Sequence, residues 1–250
     1  MRSQDQLLTS RARVSERYAL MPLEGIPDSR LPEWPGALVR VLAAPALGAD
    51  FVEYRIELEA GEGGSHEADG EIEHFLYQGE GTSELSIDGA SHSLTQGGYA
   101  LVPPESSYEL NANTNGVLLL LKKRYEPVSG IPSFEPLVGN QAEVEGQVYM
   151  GDPGTLLRPL IPDELTYDLA MNVFTFQTGH SLPIIETHVM EHGVYILEGK
   201  GIYYLDDHWT EVEATDFIWL GPYCPQSYYA AGPTPTRYIY YKNVNRDIPL

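Results

Sequence analysis

Four side chains in the last third of the chain have the types and spacing to hold a metal ion. Glu186 and His188 lie two residues apart, so on an extended strand both point to one face. Val189 to Glu191 read as a turn, after which His192 begins the next strand. If that strand pairs with the first, the His192 imidazole faces the same cavity. Gln226 follows 34 residues later, near the start of another strand. Two imidazoles, one carboxylate and one amide oxygen make a mixed nitrogen and oxygen set. Such a set suits Mn²⁺, Fe²⁺, Co²⁺, Ni²⁺ or Zn²⁺ and leaves positions open for substrate. The plainer alternative is four ordinary polar residues of a β domain, and any one histidine alone would carry little weight.

The elements that must position these groups are strands. The chain has 17 Tyr, 24 Gly and 19 Pro in 250 residues, with Gly and Pro placed as turns between many short strands. Phe51 to Leu58 alternates apolar and polar residues, as a half-buried strand does. Ser83 to Ile87 does the same and ends at a turn, Asp88-Gly89. Ile202 to Asp207 reads similarly. An all-β protein is expected, with one helical turn near Pro162-Asp163-Glu164-Leu165.

The pattern repeats. Glu73-His-Phe-Leu-Tyr77 followed by Gly81 matches Glu191-His-Gly-Val-Tyr195 followed by Gly199, at an offset of 118. The same offset carries Asp88 to Asp206, Tyr99 to Phe217 and Pro104 to Pro222 without a gap. Internal repeats imply duplicated units. They are placed at 45–125 and 165–250, joined by a connecting segment 126–164 and preceded by an arm 1–44. The offset sends Glu186, His188, His192 and Gln226 to Ala68, Gly70, His74 and Tyr108. Only one ligand type survives, so the first unit is expected to be metal-free and structural. His66 and Glu71 fall at the wrong register and read as loop residues of a solvated acidic turn.

Charge narrows the partners. Fifteen basic against 36 acidic residues give −21, which disfavours nucleic acid and anionic membrane surfaces. The lone cysteine, Cys224, permits no intrachain disulfide and no cysteine-based zinc cluster; it reads as a packed thiol. No apolar run approaches the roughly 20 residues that span a bilayer, and the N-terminus lacks a secretory apolar core. A cytoplasmic protein is expected.

The punctuation around the candidate ligands resembles the first motif of the cupin superfamily: Gly179, then Glu186, His188, His192 and Gly199 at spacings of six, one, three and six residues. That motif usually carries two histidines where this chain has Glu186 and His188, and a glutamate in place of His192. A second motif usually ends in a histidine; here Pro222-Tyr-Cys-Pro-Gln226 is one residue shorter and ends in glutamine. Cupins are small jelly-roll barrels, and two in one chain would make a bicupin.

A closer resemblance follows. The run Ile185 to Gly199 is similar to the metal-binding stretch of the (S)-ureidoglycine aminohydrolases, bicupin enzymes of purine breakdown through allantoin. Gly97-Gly-Tyr99, Pro103-Pro104, Lys123 to Val128, Asp168 to Asn172 and Asn245-Arg-Asp247 fit the same pattern, so the similarity spans nearly the whole chain. It implies Mn²⁺ held by Glu186, His188, His192 and Gln226. It also implies substrate contacts from Tyr203, Tyr238 and Lys242, and loss of ammonia from (S)-ureidoglycine to give (S)-ureidoglycolate. An anionic substrate needs a local cation, and Arg237 to Lys242 puts Tyr238, Tyr240 and Lys242 on one strand face. Periodicity does not choose between Tyr203 and Tyr204 for the inward position. Glu186 is a candidate proton acceptor through a second carboxylate oxygen. Two rival readings stand beside this one: an Fe²⁺ dioxygenase cupin, and a binding bicupin without chemistry. A homo-oligomer is expected.

Overall fold

The strand Phe51–Leu58 has a counterpart displaced by the same 118 residues along its whole length, Leu169–Phe176. The computed structural model describes residues 11–247; the first ten residues of the arm and the last three of the second unit lie outside them. The turns repeat with the strands. Asp88 and Asp206 sit at φ 49° and 60°, and Gly81 and Gly199 at φ 78° and 83°. These are left-handed conformations that Asp tolerates and Gly adopts freely.

Each unit is a pair of antiparallel sheets. In the first, a six-stranded sheet runs in the spatial order Leu137–Asn140, Gly98–Val102, Ile72–Glu80, Gly116–Arg124, Phe51–Leu58, Leu38–Ala43. It packs on a four-stranded sheet of Gly63–His66, Tyr108–Ala112, Ser83–Ile87 and Ala90–Leu94, with Ile56, Leu76, Leu85, Leu110 and Leu118 between them. In the second, His192–Glu198, Thr236–Asn243 and Leu169–Phe176 lie side by side within an eight-stranded sheet. That sheet packs on His208–Glu213, Lys200–Leu205 and Gln226–Tyr229 around Phe176, Ile196, Tyr203, Leu205 and Tyr228. The arm feeds both units: Tyr18–Met21 pairs with Phe217–Leu220, and Leu38–Ala43 with Phe51–Leu58.

A third core joins the units. Phe51, Phe75, Tyr77, Leu119 and Leu121 meet Leu169, Met171, Tyr195, Phe217, Trp219 and Tyr241. The large sheets are therefore covered on both faces, so Gly98–Val102 is buried at every position rather than at every second one. The duplication recurs in the polar contacts between the units. Lys123 Nζ lies 2.5 Å from Asp168 Oδ2 and 3.9 Å from Glu73 Oε1. At the positions related by the offset, the Asp50 amide donates to both oxygens of Glu191 at 3.2 Å.

Helix is confined, among the described residues, to three single 3₁₀ turns at Leu23–Gly25, Pro45–Leu47 and Gln141–Glu143. The helical turn expected near Pro162 is a β-turn closed by Tyr167 N donating to Glu164 O at 3.0 Å. No helix there is long and apolar enough to cross a membrane.

Candidate active site and metal centre

The segment 181–190, which carries Glu186 and His188, is not a strand. Pro183 has no N–H to give a ladder, and only isolated bridges form, Ser181 with Tyr229 and Glu186 with Gln226. The segment therefore pairs with the Gln226 strand, not with the His192 strand as the spacing suggested. Across the bridge, Glu186 N donates to Gln226 O at 2.8 Å and Gln226 N to Glu186 O at 2.9 Å. Tyr223 N donates to His188 O at 2.7 Å. His192 opens its strand and pairs with Lys242 on one side and Leu220 on the other.

The result is a cavity of about 450 Å³ lined by Glu186, His188, His192, Tyr203, Gln226, Tyr238, Tyr240 and Lys242, among others. His188 Nε2 and His192 Nε2 face each other at 3.2 Å, and the Gln226 amide nitrogen lies 3.4 Å from His188 Nε2. His192 Nδ1 lies 3.0 Å from the Tyr241 carbonyl. A backbone carbonyl only accepts, so Nδ1 carries the proton and Nε2 presents a lone pair. Burial pushes the His192 pKa down to about 3, with His188 adding to the effect, so the ring is neutral. His188 Nδ1 is buried without a partner. Tyr203 OH donates to the Gln226 amide oxygen at 2.9 Å; a half-turn of the amide exchanges its two ends.

Two imidazole nitrogens and an amide thus converge as they would on a first-row divalent ion. The carboxylate is engaged differently. Glu186 Oε1 accepts a 2.6 Å hydrogen bond from Tyr149 OH, leaving Oε2 as the oxygen with no such partner. Among the described residues no three His, Cys, Asp or Glu side chains are grouped as around an ion. The third donor beside the histidines is an amide. The chemistry of two imidazoles and an amide suits such an ion, and Glu186 lines the same cavity.

Tyr203 is the inward member of its pair, 1% exposed, whereas Tyr204 packs against Trp209. Tyr238 is buried among Phe174, Phe176, Tyr203 and Tyr228. Burial raises both the Tyr203 and Tyr238 pKa well above the phenol range, so both are hydrogen-bond donors. Lys242 is half-buried and forms no salt bridge among the described residues. Burial raises the Cys224 pKa to about 11, which fits a packed thiol.

Two lining tyrosines escaped the candidate set. Tyr240 lies between Tyr238 and Lys242 on the inward face and edge-on to His192, with ring centroids 5.5 Å apart; the strand alternation already carried that signal. Tyr149 comes from the hairpin of Gln147–Tyr149 and Asp152–Pro159 in the connecting segment, and no spacing relative to the ligands marks it.

The first unit differs at the same place. His74 is 2% exposed, and burial pushes its pKa down to about 2. Its Nδ1 lies 3.0 Å from Tyr108 OH. His66, expected in a solvated loop, ends a strand opposite Tyr108 and packs against His74, rings tilted at 37° with centroids 3.9 Å apart. Strand pairing, invisible in local composition, turned it inward. A wider hollow of about 1000 Å³ on that unit is lined by Glu33, Glu62, Glu67, Asp88 and Glu109 and by no lysine or arginine. It suits an anionic ligand poorly.

Residues 172–241 match the family model described as Cupin domain. The chain is 36% identical to (S)-ureidoglycine aminohydrolase of Escherichia coli over 98% of this chain and 96% of the relative. It is 36% identical to the (S)-ureidoglycine aminohydrolase of Arabidopsis thaliana over 92% of this chain and 76% of that one. Among solved structures, a putative glyoxylate-induced protein from Pseudomonas aeruginosa superposes with a TM-score of 0.90 at 36% identity, covering 98% of this chain and 94% of that one.

Proposed function

The chain belongs to the (S)-ureidoglycine aminohydrolase family of bicupins, and from that premise we propose that it hydrolyses (S)-ureidoglycine to (S)-ureidoglycolate and ammonia at a divalent metal held by its second unit. The reaction is a step of allantoin and purine breakdown. His188, His192, Gln226 and Glu186 would hold the ion, with manganese as the proposed species. The observation that carries the reading is the 3.2 Å approach of two Nε2 atoms beside an amide, in a cavity that also contains Lys242.

An ion held there would supply Lewis acidity to the substrate amine. The chain's own residues do the rest. Lys242 is the one lysine or arginine lining the cavity among the described residues, and it meets the substrate carboxylate. In a protein of charge −21 this cation is what makes the cavity receptive to an anion. Tyr203 and Tyr238 supply phenolic donors for the ureido carbonyl. Apolar lining from Leu157, Phe174, Leu182 and Val194 limits bulk water around these contacts. Water adds to the α-carbon as the C–N bond breaks, and the Glu186 carboxylate takes the water's proton and passes it to the departing nitrogen, which leaves as ammonia. The reading includes a cytoplasmic setting and a homo-oligomer as the working form.

The test is ammonia release from freshly generated ureidoglycine, with and without Mn²⁺. Release that depends on added metal supports the reading. Metal-independent release refutes the metal role, and turnover that consumes O₂ points to a dioxygenase instead.

A further inference from the structure

We propose that Tyr149 is a positioning residue for Glu186: its phenol holds one carboxylate oxygen so that the other alone faces the ion and the attacking water. This rests on the metal reading above and deepens it.

The contact is built from several directions. Tyr149 OH donates to Glu186 Oε1 at 2.6 Å, and its ring stands edge-on to Phe174, centroids 4.9 Å apart at 89°. Tyr149 ends its strand and pairs with Asp152 across a two-residue turn, Met150-Gly151, with φ of 46° and 83°. The register shifts at a bulge between Val148 and Tyr149, which sets Tyr149 apart from the rest of its strand. Asp152 in turn clamps the hairpin to the chain just before the ligand segment. It accepts from Thr155 Oγ1 at 2.7 Å and from Gly154 N at 3.0 Å, and lies 2.8 Å from His180 Nδ1. A side chain on Gly154 would stand 2.2 Å from the His180 ring, so the hairpin and the 179–180 turn approach as closely as glycine allows.

Glu186 needs such a hold. Its segment has no strand ladder, and the backbone of Glu186 itself is held by one isolated bridge, to Gln226. A half-buried glutamate keeps several rotamers. Partners one step behind a metal ligand set its orientation, and their loss typically costs about 10- to 100-fold in metal affinity or activity.

The test compares wild type, Tyr149→Phe, Glu186→Gln and the double variant. The readouts are the Mn²⁺ dissociation constant of the metal-stripped protein, followed by the signal of free Mn²⁺, together with kcat and KM. Phenylalanine keeps the ring on Phe174, so the melting temperature of the metal-stripped protein reports whether packing survived. Tyr149→Phe should weaken Mn²⁺ binding about tenfold and lower kcat more than it raises KM, at an unchanged melting temperature. In the Glu186→Gln background the same change should add little, because the two residues act as one unit. If Tyr149→Phe binds Mn²⁺ within about twofold of wild type with unchanged kcat, or if its loss adds in full to that of Glu186→Gln, the proposal falls and the metal reading stands. If wild type binds no Mn²⁺, both fall.

Discussion

Glu186 and Gln226 close a backbone bridge with hydrogen bonds of 2.8 and 2.9 Å, one in each direction. Residues paired in this way send their side chains to the same face. The bridge thereby puts a carboxylate and an amide, 40 residues apart in sequence, at one cavity without needing a continuous strand. His192 and Lys242 form a second such pair on the facing sheet. One pairing on each side of the barrel thus brings Glu186, Gln226, His192 and Lys242 to one cavity.

His188→Ala and His192→Ala should each strip the ion and abolish ammonia release, since each removes one of the two facing Nε2 atoms. Elemental analysis of Mn²⁺-loaded, desalted wild type should give about one ion per chain. Two ions per chain, or one lodged beside His74, would contradict the asymmetry between the units.

Lys242→Ala should keep its metal and lose about ten- to a hundredfold in kcat/KM, the range for a charge-assisted hydrogen bond of about 1.5–3 kcal/mol. Lys242→Arg should not restore the rate fully, because a planar guanidinium fills a different volume. Wild-type rates in Lys242→Ala would remove it from the site.

Glu53 makes stability depend on pH. It is 3% exposed, one of its oxygens has no partner, and burial raises its pKa to about 8. The folded state therefore holds a proton that the unfolded state, with a pKa near 4.3, has released. Stability attributable to this group is highest below the unfolded pKa and falls as pH rises toward about 8. Glu53→Gln should raise the melting temperature at pH 8.5 and change it little at pH 4.5. An equal shift at both values would show that Glu53 does not titrate in this window.

Lys123 pairs with Asp168 between the units, and burial together with Asp168 holds the Glu73 pKa well above the carboxylate range. Lys123→Met should leave Asp168, which is fully buried, without its cation and destabilise the fold by about 3–5 kcal/mol. Denaturant titration checks this, and a loss under about 1 kcal/mol would mean the cluster relaxes by taking up protons.

Much of this was legible in the chain. Alternation marked Phe51–Leu58 and Ser83–Ile87, and the 118-residue offset located their partners, because a period-two pattern and a turn glycine are local properties. The spacing of Glu186, His188, His192 and Gln226 marked the candidate ligands, and the family resemblance matched the relatives found. Three features needed the tertiary structure. Which of Tyr203 and Tyr204 faces inward depends on which sheet face is covered, and both are tyrosines. His66 turned inward because its strand pairs opposite Tyr108. Tyr149 reached Glu186 from a hairpin 37 residues earlier in the chain. Such contacts are set by how sheets pack and which edges pair, and a single sequence without its fold holds no local signal for either.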